Sequence, residues 1–182
     1  STTKAFLKSK NYFGYDENFI EFFVQDMAPC VDFDGKILME SKDRLATSPN
    51  GNGGWFTSLL NNKKAKEMLE RYNIKWLNVF AVDNVLQKIA DPVFIGATLE
   101  HKVQIGAKVI RKVDPYEKVG VMCKKNGNPS IVEYIDLTED MALATDENGE
   151  RLYKFGVILN YLFNVELLYK IKDEKLPIHI VN

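Results

Sequence analysis

Residues 76–82, Trp-Leu-Asn-Val-Phe-Ala-Val, form a mostly apolar, β-favouring run that stops at Asp83-Asn84. A strand with so few polar positions calls for cover on both faces. That demand selects an α/β arrangement, with helices laid against a sheet. The flanking sequence agrees. Trp55, Leu59, Ala65, Met68, Leu69 and Tyr72 recur at helical spacing, with a break at Asn61-Asn62-Lys63-Lys64. Asp91-Pro92 supplies an N-cap and a first-turn proline for another helix. Residues 36–40 (KILME) and 104–112 (QIGAKVIRK) read as strands. Residues 119–125 and 130–134 flank Asn126-Gly127-Asn128, a hairpin signal. Residues 137–144 predict a short helix and 165–170 the start of a final one, whereas 151–162 mixes apolar and polar residues without a clear period. Strand–helix alternation followed by a hairpin predicts a mixed, mainly parallel sheet flanked by helices.

The chain has 182 residues, which fits a single domain over 1–182. Its 24 basic and 25 acidic residues nearly cancel, so bulk charge gives no case for nucleic acid. No apolar run is long enough to span a bilayer, and no membrane partner is expected. Cys30 and Cys123 are well separated, which fits a reducing, cytoplasmic compartment. His101 and His179 are equally isolated, which speaks against zinc.

Chemistry gathers at a few points. Pro49-Asn50-Gly51-Asn52-Gly53-Gly54 places three glycines ahead of a helix. Glycine lets backbone N–H groups approach a ligand closely, and a helix start adds unpaired donors. The stretch reads as a ligand-cradling loop or as an ordinary glycine-rich turn. Asp83 ends a strand, where ligands of open α/β sheets gather. Its carboxylate either shares a Mg²⁺ with phosphates or caps the next turn. Glu133 suits sugar hydroxyls or a solvated strand end. Gly106 marks a bulge or a close approach to the backbone. Asn160, in an apolar run, needs hydrogen-bond partners from the protein or a ligand. Gln25 offers an amide that can donate and accept, as a pyrimidine edge requires, or is a plain surface residue.

The ordered succession Phe22-Phe23-Val24-Gln25 with Pro29, Asp34-Gly35-Lys36-Ile37, the PNGNGG loop, Val82-Asp83-Asn84-Val85-Leu86, 90–96 (ADPVFIG), 106–109 (GAKV), 119–121 (VGV) and Val132-Glu133-Tyr134 resembles the central region of eukaryotic-type UDP-N-acetylglucosamine pyrophosphorylases. These belong to the UDP-sugar pyrophosphorylase family. The resemblance implies a nucleotide-diphosphosugar transferase (GT-A-like) sheet. It implies a reaction in which UTP and N-acetylglucosamine 1-phosphate give UDP-N-acetylglucosamine and pyrophosphate, with Mg²⁺. It implies that Gln25 and the Gly51 backbone contact uracil, that Asp83 binds the metal, and that Gly106, Glu133 and Asn160 hold the N-acetylhexosamine. Pro49, Asn50 and Asn84 complete the implied substrate-binding set. No residue is implied as a nucleophile, because in-line phosphoryl transfer rests on positioning and charge neutralisation.

The sequence departs from the family in four places. The family's glycine-rich triphosphate loop with its arginine does not precede Phe22. The family also continues past residues 176–179 (LPIH). The residues thus match the centre of a larger catalytic domain, incomplete at both ends, and are expected not to turn over alone. Asn50 replaces the family's usual aspartate, and residues 154–161 (KFGVILNY) lack two asparagines of the family segment. A non-catalytic sugar-nucleotide-binding or interaction module is the alternative expectation.

Overall fold

The computed structural model describes residues 2–174, so residues 176–179 and His179 lie outside the described residues. The chain divides into two compact units, one formed by residues 1–75 and 168–182, the other by Trp76–Leu167.

In the first unit, α1 (Thr2–Ser9) precedes two small antiparallel pairs. β1 (Met27–Pro29) pairs with β4 (Thr47–Pro49), and β2 (Met39–Ser41) pairs with β3 (Arg44–Leu45). The strand expected at 36–40 therefore shifts towards Met39–Ser41, and Ile37 keeps one isolated bridge to Val31. The predicted helix break is present. α2 (Gly54–Asn61) stops, and the side chain of Asn62 accepts a hydrogen bond from Ala65 N at 2.9 Å to start α3 (Lys63–Arg71). That bond satisfies one of the free donors at a helix start. Ala65 and Leu69, one turn apart, are the buried apolar residues of α3.

The second unit is built on one sheet: β5 (Trp76–Phe80), β6 (Ile105–Arg111), β7 (Val121–Lys125), β8 (Asn128–Val132) and β9 (Phe155–Asn164). α4 (Pro92–Glu100) links β5 to β6, α5 (Glu139–Leu143) follows the hairpin, and α6 (Val165–Lys170) follows β9. Asp91 caps α4 by accepting from Val93 N at 3.1 Å, with Pro92 in the first turn. Asn126 and Gly127, at φ +53° and +82°, make the two-residue hairpin turn.

The expected mainly parallel sheet is not what forms. Every strand pair among the described residues is antiparallel. The alternation β5–α4–β6 does make two strands that run the same way. However, β9 is hydrogen-bonded to both, Trp76–Phe80 against Asn164–Asn160 and Ile105–Arg111 against Phe163–Phe155. A strand has two edges, so β9 lies between β5 and β6 and runs against each. The period-free segment 151–162 supplies this central strand. Leu162 is 2% exposed, and Val121, paired with Gly156 of β9, is fully buried. β5 stops at Phe80 with every residue half-buried, so the expected full cover on both faces is not met.

One lysine is buried, against the usual exposure of charged side chains. Lys112 is 2% exposed, and its Nζ donates to Pro115 O at 2.7 Å. Its chain fixes the turn after β6 from within.

Candidate functional site

The predicted residues fall into two groups, one in each unit. In the first unit the β1–β4 pair brings Met27 opposite Pro49, which delivers Gln25 to the glycine loop. Gln25 Nε2 donates to Gly51 O at 2.6 Å and to Asn50 Oδ1 at 3.1 Å. Asn50 N donates to Asp26 O at 3.2 Å. Gln25 is half-buried, and Pro49, Asn50 and Gly51 are exposed. Both amide protons of Gln25 are thus spent on the loop, which leaves its Oε1 as an acceptor. Gly51 stands at φ +85°, a region open to glycine and costly for other residues. These bonds tie Gln25 to the glycine loop.

In the second unit, Asp83 and Asn84 follow β5 and open the loop to α4. Asp83 is exposed. Asn84 is half-buried, and its Oδ1 accepts from Leu86 N at 3.2 Å, so this residue holds the turn after β5. Among the described residues no three His, Cys, Asp or Glu side chains converge on a metal. Asp83 presents one exposed carboxylate, the kind of donor that Mg²⁺ takes singly or in pairs, with phosphate oxygens and water filling the rest of its shell.

Asn160 is 2% exposed and sits in a side-chain network that the sequence did not announce. Asn78 Nδ2 donates to Asn160 Oδ1 at 3.1 Å and to Tyr161 O at 3.0 Å. Asn160 Nδ2 donates to Gln87 Oε1 at 2.8 Å, and Ala90 N donates to Asn78 Oδ1 at 3.1 Å. Asn78 and Gln87 thereby tie the Asp83 loop to β9. The signal for Asn78 was present as the lone amide in an apolar strand. Gln87 carried none. Next to Asn160 the β6–β9 register slips: Ala107 faces Tyr161 but Val109 faces Val157. Leu159 takes φ +38° inside the resulting bulge, a strained setting for a branched side chain.

Gly106 answers both expectations made for it, a bulge next door and a close approach. A β-carbon there would stand 2.5 Å from Thr98 Oγ1 and 3.1 Å from the Phe94 ring, so the approaching group on that side is α4. Lys108, on the same strand, donates to Asp91 Oδ2 at 2.6 Å. This hydrogen bond, more than any other influence, holds the Asp91 carboxyl below its ordinary range. Glu133 is exposed at the end of β8. Burial chiefly, and the Glu133 charge secondarily, push the Tyr161 phenol up, so Glu133 and β9 share one electrostatic neighbourhood. A surface cleft of about 370 Å³ lies between Tyr116, Glu117, Tyr134, Leu137 and Glu139. It contains none of the predicted site residues.

Comparison with known proteins gives the family. The family described as UTP–glucose-1-phosphate uridylyltransferase matches residues 1–182, and the chain belongs to that family. The chain is 39% identical to the UDP-N-acetylglucosamine pyrophosphorylase of Saccharomyces cerevisiae, over 99% of this chain and 38% of that protein. It is 38% identical to the human UDP-N-acetylhexosamine pyrophosphorylase-like protein 1, over 97% of this chain and 34% of that protein. The crystal structure of the UDP-N-acetylglucosamine pyrophosphorylase of Trypanosoma brucei, in complex with an inhibitor, is similar at a TM-score of 0.82 and 28% identity, covering 94% of this chain and 34% of that one. The chain thus spans little more than a third of the length of these relatives.

Proposed function

We propose that the protein is a uridylyltransferase that makes UDP-N-acetylglucosamine and pyrophosphate from UTP and N-acetylglucosamine 1-phosphate. The single observation that carries this reading is the Gln25 clamp on Asn50 and Gly51. It leaves one amide acceptor beside a glycine backbone, which is the complement of a uracil N3–H and its neighbouring carbonyl. Pro49 ends the strand that sets the loop. In the second unit Asp83 would hold Mg²⁺ together with phosphate oxygens, and Asn84 shapes its turn. The metal supplies neutralisation of phosphate charge. Gly106, Glu133 and Asn160 are assigned to the amino sugar.

The sugar phosphate oxygen forms a bond to the α-phosphorus of UTP as the bond to pyrophosphate breaks. The chain's residues hold the two reactants in line and supply no nucleophile. Both units belong, on this reading, to one GT-A-like catalytic domain of a larger cytoplasmic protein. The test is pyrophosphate release by the intact protein with UTP, Mg²⁺ and each sugar 1-phosphate. Turnover with N-acetylglucosamine 1-phosphate is expected, and its absence would overturn the reading. Residues 1–182 alone are expected to release none.

A second reading, a non-catalytic sugar-nucleotide-binding module, draws support from Asn160, whose amide is satisfied within the protein. Saturable UDP-N-acetylglucosamine binding without turnover by the intact protein would favour it.

A further inference from the structure

The sugar-holding role of Asn160 requires a ligand to reach a side chain that is 2% exposed. Two side chains are hydrogen-bonded to it, Asn78 and Gln87. Asn78 belongs to β5, paired along its length with β9, and cannot withdraw without breaking that pairing. Gln87 belongs to the loop between β5 and α4. Around it Val85, Leu86 and Ile89 are 91%, 86% and 69% exposed, so little apolar packing holds the loop down. The loop turns a polar side chain inward and its aliphatic ones outward, the reverse of what water favours. Its far end is held by the Ala90 N–H on Asn78 Oδ1, with Ala90 at φ +49°.

We propose that Gln87 is a specificity-determining residue that stands in for the ligand. In the free protein its side-chain carbonyl occupies the position on Asn160 Nδ2 that the acetamido carbonyl of a 2-acetamido sugar takes on binding. The inference rests on the assignment of Asn160 to the sugar. Both groups are amide carbonyls of similar acceptor strength. Exchange of one for the other keeps the buried N–H of Asn160 satisfied in both states, which an unmatched ligand would not do. A 2-hydroxy sugar brings no amide carbonyl and leaves Gln87 in place. Gln87 thereby sets how far the 2-acetamido sugar is preferred, because only that sugar pays for its displacement from Asn160.

Calorimetry on the intact protein with Mg²⁺, titrating UDP-N-acetylglucosamine and UDP-glucose separately, tests this. Gln87→Ala removes the competitor, so binding of UDP-N-acetylglucosamine should tighten about three- to tenfold, while that of UDP-glucose stays unchanged. Gln87→Glu supplies a stronger acceptor and should lower the ratio of the two affinities; the ratio cancels the effect of its charge on the shared diphosphate. Thermal melts matching wild type establish that each variant is folded, and if the alanine variant is not, the glutamate variant decides. Weaker binding of UDP-N-acetylglucosamine to Gln87→Ala, or an equal shift for both ligands, would overturn the stand-in role alone. Wild-type protein that binds neither ligand would overturn the sugar-nucleotide reading and this proposal with it.

Discussion

The two units hold their ligand candidates by different means. In the first, Gln25, Asn50 and Gly51 are fixed by polar bonds just beyond the ends of two three-residue strands, and the neighbouring apolar side chain Val24 is 84% exposed. In the second, Gly106 and Asn160 stand on neighbouring strands of a five-stranded sheet, around the ten-residue β9. A loop pinned by a few hydrogen bonds opens locally at low cost, whereas a central strand opens only with its sheet. The candidates of the first unit thus stand on adaptable backbone and those of the second, Gly106 and Asn160, on rigid scaffold. Hydrogen exchange would sharpen the contrast. Amides of β9 should exchange orders of magnitude more slowly than those of residues 22–50, and equal rates would erase the distinction.

Substitutions probe the same contrast at falling magnitude. Leu162→Ala empties the sheet core and should cost about 2–5 kcal/mol in denaturant unfolding of the intact protein. A smaller loss would mean that β9 is not the keystone. Asp83→Asn should lower turnover about a hundredfold or more while far-ultraviolet dichroism is unchanged, since a metal-bound carboxylate contributes several kcal/mol to the transition state. Unchanged Mg²⁺-dependent turnover would end the metal assignment. Gly106→Val drives a branched side chain into Thr98 and Phe94 and should destabilise the fold by about 1–3 kcal/mol. Gly51→Val, at φ +85°, should leave global stability nearly intact but weaken UTP about tenfold, because the strained loop relaxes away from its bound shape. Equal damage to stability from both glycine variants would contradict the division of labour.

The smallest effect concerns acid. Asp91 has a folded pKa below its unfolded value, so its pairing with Lys108 stabilises above the ordinary aspartate range. That contribution fades as pH falls through the window between the unfolded and folded values. Asp91→Asn should flatten the acid side of the stability–pH curve and leave the neutral plateau only slightly lower. A curve that keeps its acid slope would place the titrating group elsewhere.

Much was legible in advance where a local rule governs. Asp91-Pro92 caps α4, Asn126-Gly127 turns the hairpin, and the Asn61–Lys64 break separates α2 from α3, because each depends on residues within a few positions. Site candidates at Gln25, Asn50 and Gly51 were readable as residue types, and their meeting is a matter of strand pairing 25 residues apart. Gln87 was not readable at all. A glutamine in a loop of mixed aliphatic and polar residues carries no periodicity, and its partner lies 73 residues away.

The sequence by itself determined where helices begin, where turns fall and which residue types could serve a nucleotide sugar, since short-range sterics and capping decide those. Only the tertiary structure decided that residues 155–164 enter the sheet between β5 and β6 and run against both. It also decided that Asn160 is buried between Asn78 and Gln87. Those outcomes depend on which distant edges meet, and the free energy of that meeting comes from buried surface and paired amides contributed by segments that no local window contains.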